Sequence, residues 1–431
     1  MDLADALADL DGRQPESMPE PSLSRIARLA SLMDDPQLTF PTIHVTGTNG
    51  KSTAARVAAA TSCAVGIRTG LFISPHLRSV RERLSVCGED ITEEGFAEEY
   101  EHLLPYLRHV DAGEDGRVTY FEALTALAFL WFADRPVDLG VFEVGMGGGW
   151  DATNLVAGQV AVITPIDLDH VAELGPGIED IAAEKAGILK PATTAVVREQ
   201  DHDAVSAVLE RQAGEVGSRL LHEGVEWEVE DALGALGGQT FALRGIHGRY
   251  DELFLPLFGT YAAQNAAAGV VAVEALTGQA LDADAVRHAL STVRAPGRLE
   301  VVGREPLIVV DGAHNPAGAV ALAEALSSSF TWDRLHVVLA VSANKDVEGV
   351  VAPLAALADV VYATRFAGAR SAEPGVVADA ARVSGARRVE EVPGLAGAIA
   401  AADAAADAGD AILVTGSLFT VGEALAILRP T

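Results

Sequence analysis

Thr42-Ile43-His44-Val45-Thr46-Gly47-Thr48-Asn49-Gly50-Lys51-Ser52-Thr53 is a β-branched run, a loop of small residues carrying one lysine, and the start of an alanine-rich stretch. Strand, loop and helix in that order make a phosphate cradle. Gly47 and Gly50 let backbone N–H groups turn toward an anion. The helix beginning near Ser52 directs its positive end at the same point, and Lys51 reaches terminal phosphates. Thr48 and Asn49 complete the loop, and Ser52 or Thr53 offers a hydroxyl to Mg²⁺. A strict Walker A loop would need glycine where Val45 stands, so this is a compact Gly-Thr-Asn-Gly-Lys-Ser variant.

Outward from the loop, apolar β-rich runs alternate with longer Ala/Leu-rich runs. Thr42 to Val45, Leu139 to Val144 and Val160 to Ile166 read as strands; Ser52 to Val65 and Phe121 to Ala133 read as helices. That alternation predicts a mainly parallel sheet covered on both faces. The stretch 195–257 has acidic clusters and short strand-like pieces such as Thr240 to Leu243, and reads as a small β-rich excursion inside the first domain. Ala262 to Leu276 reads as an apolar helix, and Val293-Arg294-Ala295-Pro296-Gly297 as a linker. Beyond it, Leu307 to Val310, Leu335 to Val341, Asp359 to Ala363 and Ala411 to Val414 read as strands of a second α/β unit. The expected domains are therefore 1–293 and 294–431, consistent with a chain of 431 residues being too long for one ordinary core.

Composition narrows the partners. With 31 basic and 61 acidic side chains the formal net charge is -30, which argues against nucleic acid or an anionic membrane, since a polyanion would meet a surface of its own sign. Nucleotide sites must be local exceptions. Lysine occurs only at Lys51, Lys185, Lys190 and Lys345. This acidic, lysine-poor balance fits either a salty cytoplasm, where screening relieves self-repulsion, or a GC-rich genome with a solvated acidic surface. No run of about eighteen uncharged apolar residues occurs. The first twenty residues lack the basic and apolar regions of a signal peptide, so a cytoplasmic location is expected. Cys63 and Cys87 have no metal-ligand spacing; neither a disulfide framework nor a zinc site is expected, and a reducing cytosol fits.

Several polar residues fall where α/β folds place their ligands. Glu143 follows an apolar strand and precedes the glycine run Gly145 to Gly149, a good position for a Mg²⁺ ligand, with a capping carboxylate as the alternative. His170 follows a second strand with Asp167 and Asp169. Lys185, within Ile181 to Ile188, reads by itself as a surface lysine paired with a neighbouring acid. Asn265, beside Gln264, reads as a polar helix residue facing solvent. Arg298 sits just past the linker, where an arginine can reach phosphate across a domain cleft. Asp311 and His314 follow the strand Leu307 to Val310.

The phosphate loop resembles that of the Mur ligase superfamily. Further segments in order narrow the resemblance to the folylpolyglutamate synthase and dihydrofolate synthase family. They are Ile73 to Leu77, Phe142 to Gly148, Asp151 to Asn154, Leu168 to His170, Glu184 to Ile188, Gln264-Asn265, Pro296 to Arg298, Asp311 to Pro316 and Thr415 to Ser417. The similarity runs from about Ser24 to about Gly422. It implies an N-terminal P-loop-type ATPase domain with a mainly parallel sheet and a smaller C-terminal Rossmann-like α/β domain. It also implies ATP and Mg²⁺, with room for a monovalent cation, and substrates that are dihydropteroate or reduced folate and L-glutamate. Ser74, Glu143 and His170 match residues around divalent metal, joined here by Ser52. Lys185 matches a lysine that is carbamylated, acting with Lys51 and His170 in catalysis. Asn265 matches an adenine contact, and Arg298, Asp311 and His314 match nucleotide contacts from the second domain, so that domain closure would complete the site and exclude water. Members are commonly monomeric. The pterin side is expected to involve Asp11 to Ser24 and the segment after Ser74.

The sequence departs from the family pattern at one point: Gly149 stands where an arginine is expected in Gly147-Gly148-Gly149-Trp150-Asp151-Ala152-Thr153-Asn154. Either Arg78, Arg81 or Arg83 compensates, or the acceptor differs. Beside the folate ligase reading stand a Mur-type ligase acting on another carboxylate and a nucleotide-binding paralogue without catalysis.

Overall fold

The computed structural model describes residues 1–15 and 22–429, so residues 16–21 of the expected pterin-side segment lie outside the described residues. Eight strands form the main sheet: β1 (Thr42–Thr46), β2 (Thr69–Phe72), β3 (Leu84–Val86), β4 (Glu89–Asp90), β5 (Leu139–Glu143), β6 (Val160–Ile163), β7 (Thr194–Val197) and β8 (Arg219–His222). Their order is β4-β3-β2-β5-β1-β6-β7-β8. Every pairing from β2 to β8 is parallel, and β3 and β4 run antiparallel at one edge. β1 lies between β5 and β6 in register, with Val45 opposite Glu143 and Thr46 opposite Ile163. The loop leaving β1 therefore emerges beside the C-terminal ends of both neighbours, where a parallel sheet leaves its ligand crevice. All five β1 residues are buried, as expected of a strand covered on both faces.

One core cluster joins this sheet to the helices Leu3–Asp11, Ser24–Leu32, Glu93–Asp111 and Tyr120–Asp134. Phe142 is its centre, with Phe129 and Phe132 at 5.4 and 5.6 Å between ring centroids. Truncating such a buried ring to alanine costs about 3–5 kcal/mol. The helix Tyr120–Asp134 begins at a capping box, Thr119 Oγ1 accepting from Glu122 N while Glu122 Oε2 accepts from Thr119 N. Glu122 also accepts from buried Arg25 Nε at 3.0 Å. A second cluster packs the helices Ile178–Ala186 and Asp203–Val216 against Ala161, Ile163, Ala195 and Val197.

The stretch 195–257 is not one β-rich excursion. β7 and β8 extend the main sheet around the helix Asp203–Val216, because their apolar runs complete its parallel ladder. Only β9 (Glu228–Ala235), β10 (Gly238–Arg244) and β11 (Arg249–Leu255) form a separate sheet, in order β11-β10-β9. The chain divides into two compact units. The first comprises Met1–Ala232, Thr240–Phe254 and Gln264–Val293; the second comprises Leu233–Gln239, Leu255–Ala263 and Arg294–Thr431. The second unit has β12 (Glu300–Arg304), β13 (Leu307–Val310), β14 (Leu335–Leu339), β15 (Val360–Ala363), β16 (Val389–Glu391) and β17 (Ala411–Thr415), in order β12-β13-β17-β14-β15-β16. All its pairings are parallel except β12 with β13.

The cysteines correct the sequence reading. Cys63 and Cys87 are disulfide-bonded, with Cα atoms 5.6 Å apart. The reason is the antiparallel return of β3 along β2, which sets Cys87 N on Thr69 O at 2.9 Å, beside the end of the helix Lys51–Ala64 that carries Cys63. No helix among the described residues is long and apolar enough to cross a membrane.

Candidate active site

The loop after β1 is held in one conformation by its own backbone. Gly47 has φ +142° and Gly50 φ +92°, and neither has room for a side chain. A Cβ at Gly47 would lie 1.9 Å from Thr164 Oγ1, and one at Gly50 would lie 2.4 Å from Asn265 Nδ2. Thr48 N donates to Pro165 O at 2.9 Å and Thr48 Oγ1 to Asp167 O at 2.9 Å, fastening the loop to the segment after β6. Gly50 is the N-cap of the helix Lys51–Ala64, so the helix's first N–H groups and its positive end face the loop. Lys51 Nζ folds back to donate to Gly47 O at 3.0 Å and Thr48 O at 3.1 Å. Thr53 is buried; Asn49 and Ser52 are half-buried.

Glu143 gathers the oxygen donors. The carboxylate, only 2% exposed, accepts from Ser52 Oγ at 2.8 Å on Oε1 and from Ser74 N at 3.3 Å on Oε2. This ties together the segments that follow β1, β2 and β5. His170 is the N-cap of the short helix Val171–Leu174, in left-handed backbone at φ +51°. Its Nε2 lies 3.8 Å from Asp169 Oδ2 and its Nδ1 3.9 Å from Glu173 Oε2.

Lys185 is not a surface lysine. It is buried, and its Nζ donates to Gly47 O at 2.9 Å. Burial, with Lys51 adding like-charge repulsion, lowers its pKa to about 7. The neighbouring acid does other work: Glu184 Oε1 accepts from Trp150 N at 3.0 Å, and Glu184 O from Gly149 N at 2.9 Å. Asn265 does not face solvent either. It is 4% exposed, packs on Gly50 and accepts from Arg198 Nη1, while Arg198 Nη2 donates to Gln264 Oε1 at 2.8 Å.

Residues that sequence reasoning left without a role complete the first unit's site. Asp151 is buried; its Oδ2 accepts from Met146 N at 3.0 Å and its Oδ1 from Thr153 N at 2.9 Å, so one carboxylate folds the glycine run after Glu143. Burial pushes its carboxyl up to about 6. The signal was present in the Asp151 to Asn154 motif, but only the fold shows that the acid binds backbone rather than ligand. Gly149 faces Glu184, whose Oε1 would lie 3.2 Å from a Cβ there. Arg81 is engaged with Ile91 O at 3.1 Å, and buried Arg83 with His76 Nδ1 at 2.9 Å; Arg78 is exposed.

In the second unit, Asp311 lies within the electrostatic reach of Arg298. Buried Asp311 accepts from Leu299 N and Ala313 N, each at 2.7 Å. Burial raises its pKa, opposed by Arg298 and by those bonds. His314 Nδ1 lies 2.9 Å from Gly312 O. Tyr261 joins the cluster, its hydroxyl pKa raised by burial and the Asp311 charge.

Known proteins resemble this chain over most of its length. The Mur ligase middle domain matches residues 45–273, and the Mur ligase glutamate ligase domain matches residues 297–418. The chain is 42% identical to the dihydrofolate synthase/folylpolyglutamate synthase of Mycobacterium tuberculosis, covering 96% of this chain and 91% of that protein. The structure of M. tuberculosis folylpolyglutamate synthase complexed with ADP superposes with a TM-score of 0.95 at 40% identity, covering 100% and 98% of the two chains. Escherichia coli FolC in complex with DHPP and ADP gives a TM-score of 0.87 at 30% identity, covering 99% and 98%. Fold and site thus define an ATP-dependent carboxylate-amine ligase of the Mur type. The chain belongs to the dihydrofolate synthase/folylpolyglutamate synthase family.

Proposed function

We propose that this chain adds L-glutamate to dihydropteroate and to the γ-carboxylate of reduced folates, in the cytoplasm, as a monomer using Mg-ATP. The observation that carries the reading is the Glu143 carboxylate shared by Ser52 Oγ and Ser74 N beside the glycine loop, on a chain that matches relatives of this activity end to end. The substrate carboxylate attacks the γ-phosphorus of ATP, forming an acyl phosphate and releasing ADP. The amine of L-glutamate then attacks the acyl carbon, expels phosphate and loses a proton. Backbone N–H groups of residues 47–50 and Lys51 hold the phosphates and stabilise charge on the transferred group. Lys51 must first leave its carbonyl partners, and an arriving phosphate offers it a stronger, charge-assisted bond.

The donor set at Glu143 suits Mg²⁺, a hard cation that prefers oxygen. Glu143, Ser52, Ser74 and His170 would hold it, and bound there it neutralises phosphate oxygens. Lys185 is a candidate for carbamylation. Its lowered pKa keeps a large share of the amine neutral near pH 7, and the neutral amine adds CO₂ with loss of one proton, turning a buried cation into an anion beside Lys51. Asn265 is assigned to adenine, and Arg298, Asp311 and His314 to nucleotide contacts.

ADP release with Mg-ATP and L-glutamate, measured with dihydropteroate, with tetrahydrofolate and with no acceptor, tests the reading. The expected result is stimulation in both acceptor lanes with a one-glutamate mass gain in each product. Silence in both lanes, with ATP still bound, would transfer the chain to another carboxylate acceptor and make Gly149 the residue to pursue.

A further inference from the structure

Glu99 and His102 lie three residues apart in the helix Glu93–Asp111 and so share one face of it. Asp134 ends the helix Tyr120–Asp134, which packs against the first. One ligand atom from each of the three side chains lies within 4.8 Å of the other two, and His102 Nδ1 is 3.7 Å from Asp134 Oδ2. None of the three belongs to the phosphate loop or to the group around Glu143.

A cluster of acids on a surface ordinarily needs no ligand. Glu99 is different: it is 9% exposed, and its buried Oε1 accepts no hydrogen bond from an N–H or O–H donor among the described residues. An unsatisfied buried acceptor costs about 1–3 kcal/mol, and more when charged. Burial, the charge of Asp134 and a side-chain hydrogen bond shared with Asp134 push the Glu99 carboxyl up to about 7, Arg135 opposing and Glu98 adding to the rise, and a cation between the two carboxylates would take the place of that shared proton. Asp134 and His102 are the open side of the cluster, with 48% and 73% of their side chains exposed.

We propose that Glu99, His102 and Asp134 bind one divalent first-row transition cation, of which Zn²⁺ is the best match. An imidazole with two carboxylates suits such a cation, whereas Mg²⁺ and Ca²⁺ prefer all-oxygen shells. Three protein ligands leave a further position to water on the exposed side. The cation ties the middle of one helix to the end of its neighbour, so its role is to clamp the helical layer over the Phe142 core, and its binding adds to stability by mass action.

The test titrates Zn²⁺ calorimetrically into the full chain, with excess Mg²⁺ present to occupy the catalytic region, beside His102→Ala and Glu99→Gln. His102 is exposed, so its removal leaves the core intact; if Glu99→Gln fails to fold, His102→Ala decides alone. The expected result is one Zn²⁺ per unchanged chain and affinity weaker by about 100-fold or more in His102→Ala, at or beyond the upper end of losses from outer-shell changes. Co²⁺ in place of Zn²⁺ should give visible absorption bands that His102→Ala abolishes. Equal Zn²⁺ stoichiometry and affinity in the two chains, or no saturable Zn²⁺ binding at all, would overturn the proposal.

Discussion

Lys51 and Lys185 both donate to Gly47 O, at 3.0 and 2.9 Å, so two lysine amines share one carbonyl in a chain otherwise rich in acids. Their separate fates are measurable. If Lys51 neutralises the transferring phosphoryl group, Lys51→Ala should lower turnover by about 10²-fold or more, the scale of removing a preorganised charge donor; near-normal ligation in that variant would sink the assignment. Lys185 has a thermodynamic signature. Its pKa falls from 10.5 to about 7 on folding, so between those values the folded state binds fewer protons than the unfolded state. Stability must then rise with pH across that window, by up to about 1.4 kcal/mol per pH unit. In CO₂-free buffer, denaturant titrations between roughly pH 7.5 and 9.5 should show a steeper rise for the unchanged chain than for Lys185→Met. Parallel slopes would mean that the amine is not depressed. Under bicarbonate the rise should persist, because an unfolded ammonium that becomes a folded carbamate also gives up protons, and the unchanged chain should gain the mass of one CO₂ that Lys185→Met lacks.

At the level of elements, the sequence made the strands at 42–46, 139–143 and 307–310 readable because buried parallel strands are unbroken apolar runs between longer helical stretches. The phosphate loop was equally legible, since its glycines, lysine and hydroxyls are consecutive. What stayed hidden depends on contacts between distant segments. Lys185 reaches Gly47 across 138 positions, and Arg198 reaches Asn265 across 67, distances over which periodicity carries no information. Cys63 and Cys87 belong to the same class: 24 residues apart, they meet only because β3 turns back along β2. Closing a loop of that length stabilises a fold by about 3 kcal/mol in the chain-entropy account. Chain purified without reductant and unfolded in denaturant should show no reactive thiol, and both cysteines should react after reduction. The reduced form should unfold at lower denaturant by an amount equivalent to about 3 kcal/mol. Two reactive thiols before reduction would instead return the pair to the reduced state expected of a cytosolic protein.

Over the whole molecule the dominant quantity is the net charge of -30. Several of its arginines are already engaged: Arg249 with Glu230 and Asp251, Arg334 with Asp407 and Asp410, Arg382 with Asp379 and Glu391. Most of these partners are exposed, and an exposed pair contributes about 0–1 kcal/mol and weakens in salt. The uncompensated acids act the other way, since their mutual repulsion is spread over the surface and is relieved when the folded chain expands. Raising KCl from about 0.1 M to about 1 M shortens the Debye length from roughly 10 to 3 Å, which removes repulsion between distant carboxylates more completely than attraction within contacting pairs. The melting temperature should therefore rise over that interval by several degrees, at about 2–4 °C per kcal/mol, taking the value for domains of 150–250 residues. The shape of the curve separates the two origins of the acidic composition. A rise that levels off near 1 M is screening of a solvated acidic surface, because little remains to screen beyond it. A continued rise to about 2 M exceeds what screening supplies and marks adaptation to salt. A melting temperature unchanged from about 0.1 M to about 2 M would remove salt adaptation and self-repulsion together, and would place the fold's stability in its cores and its disulfide.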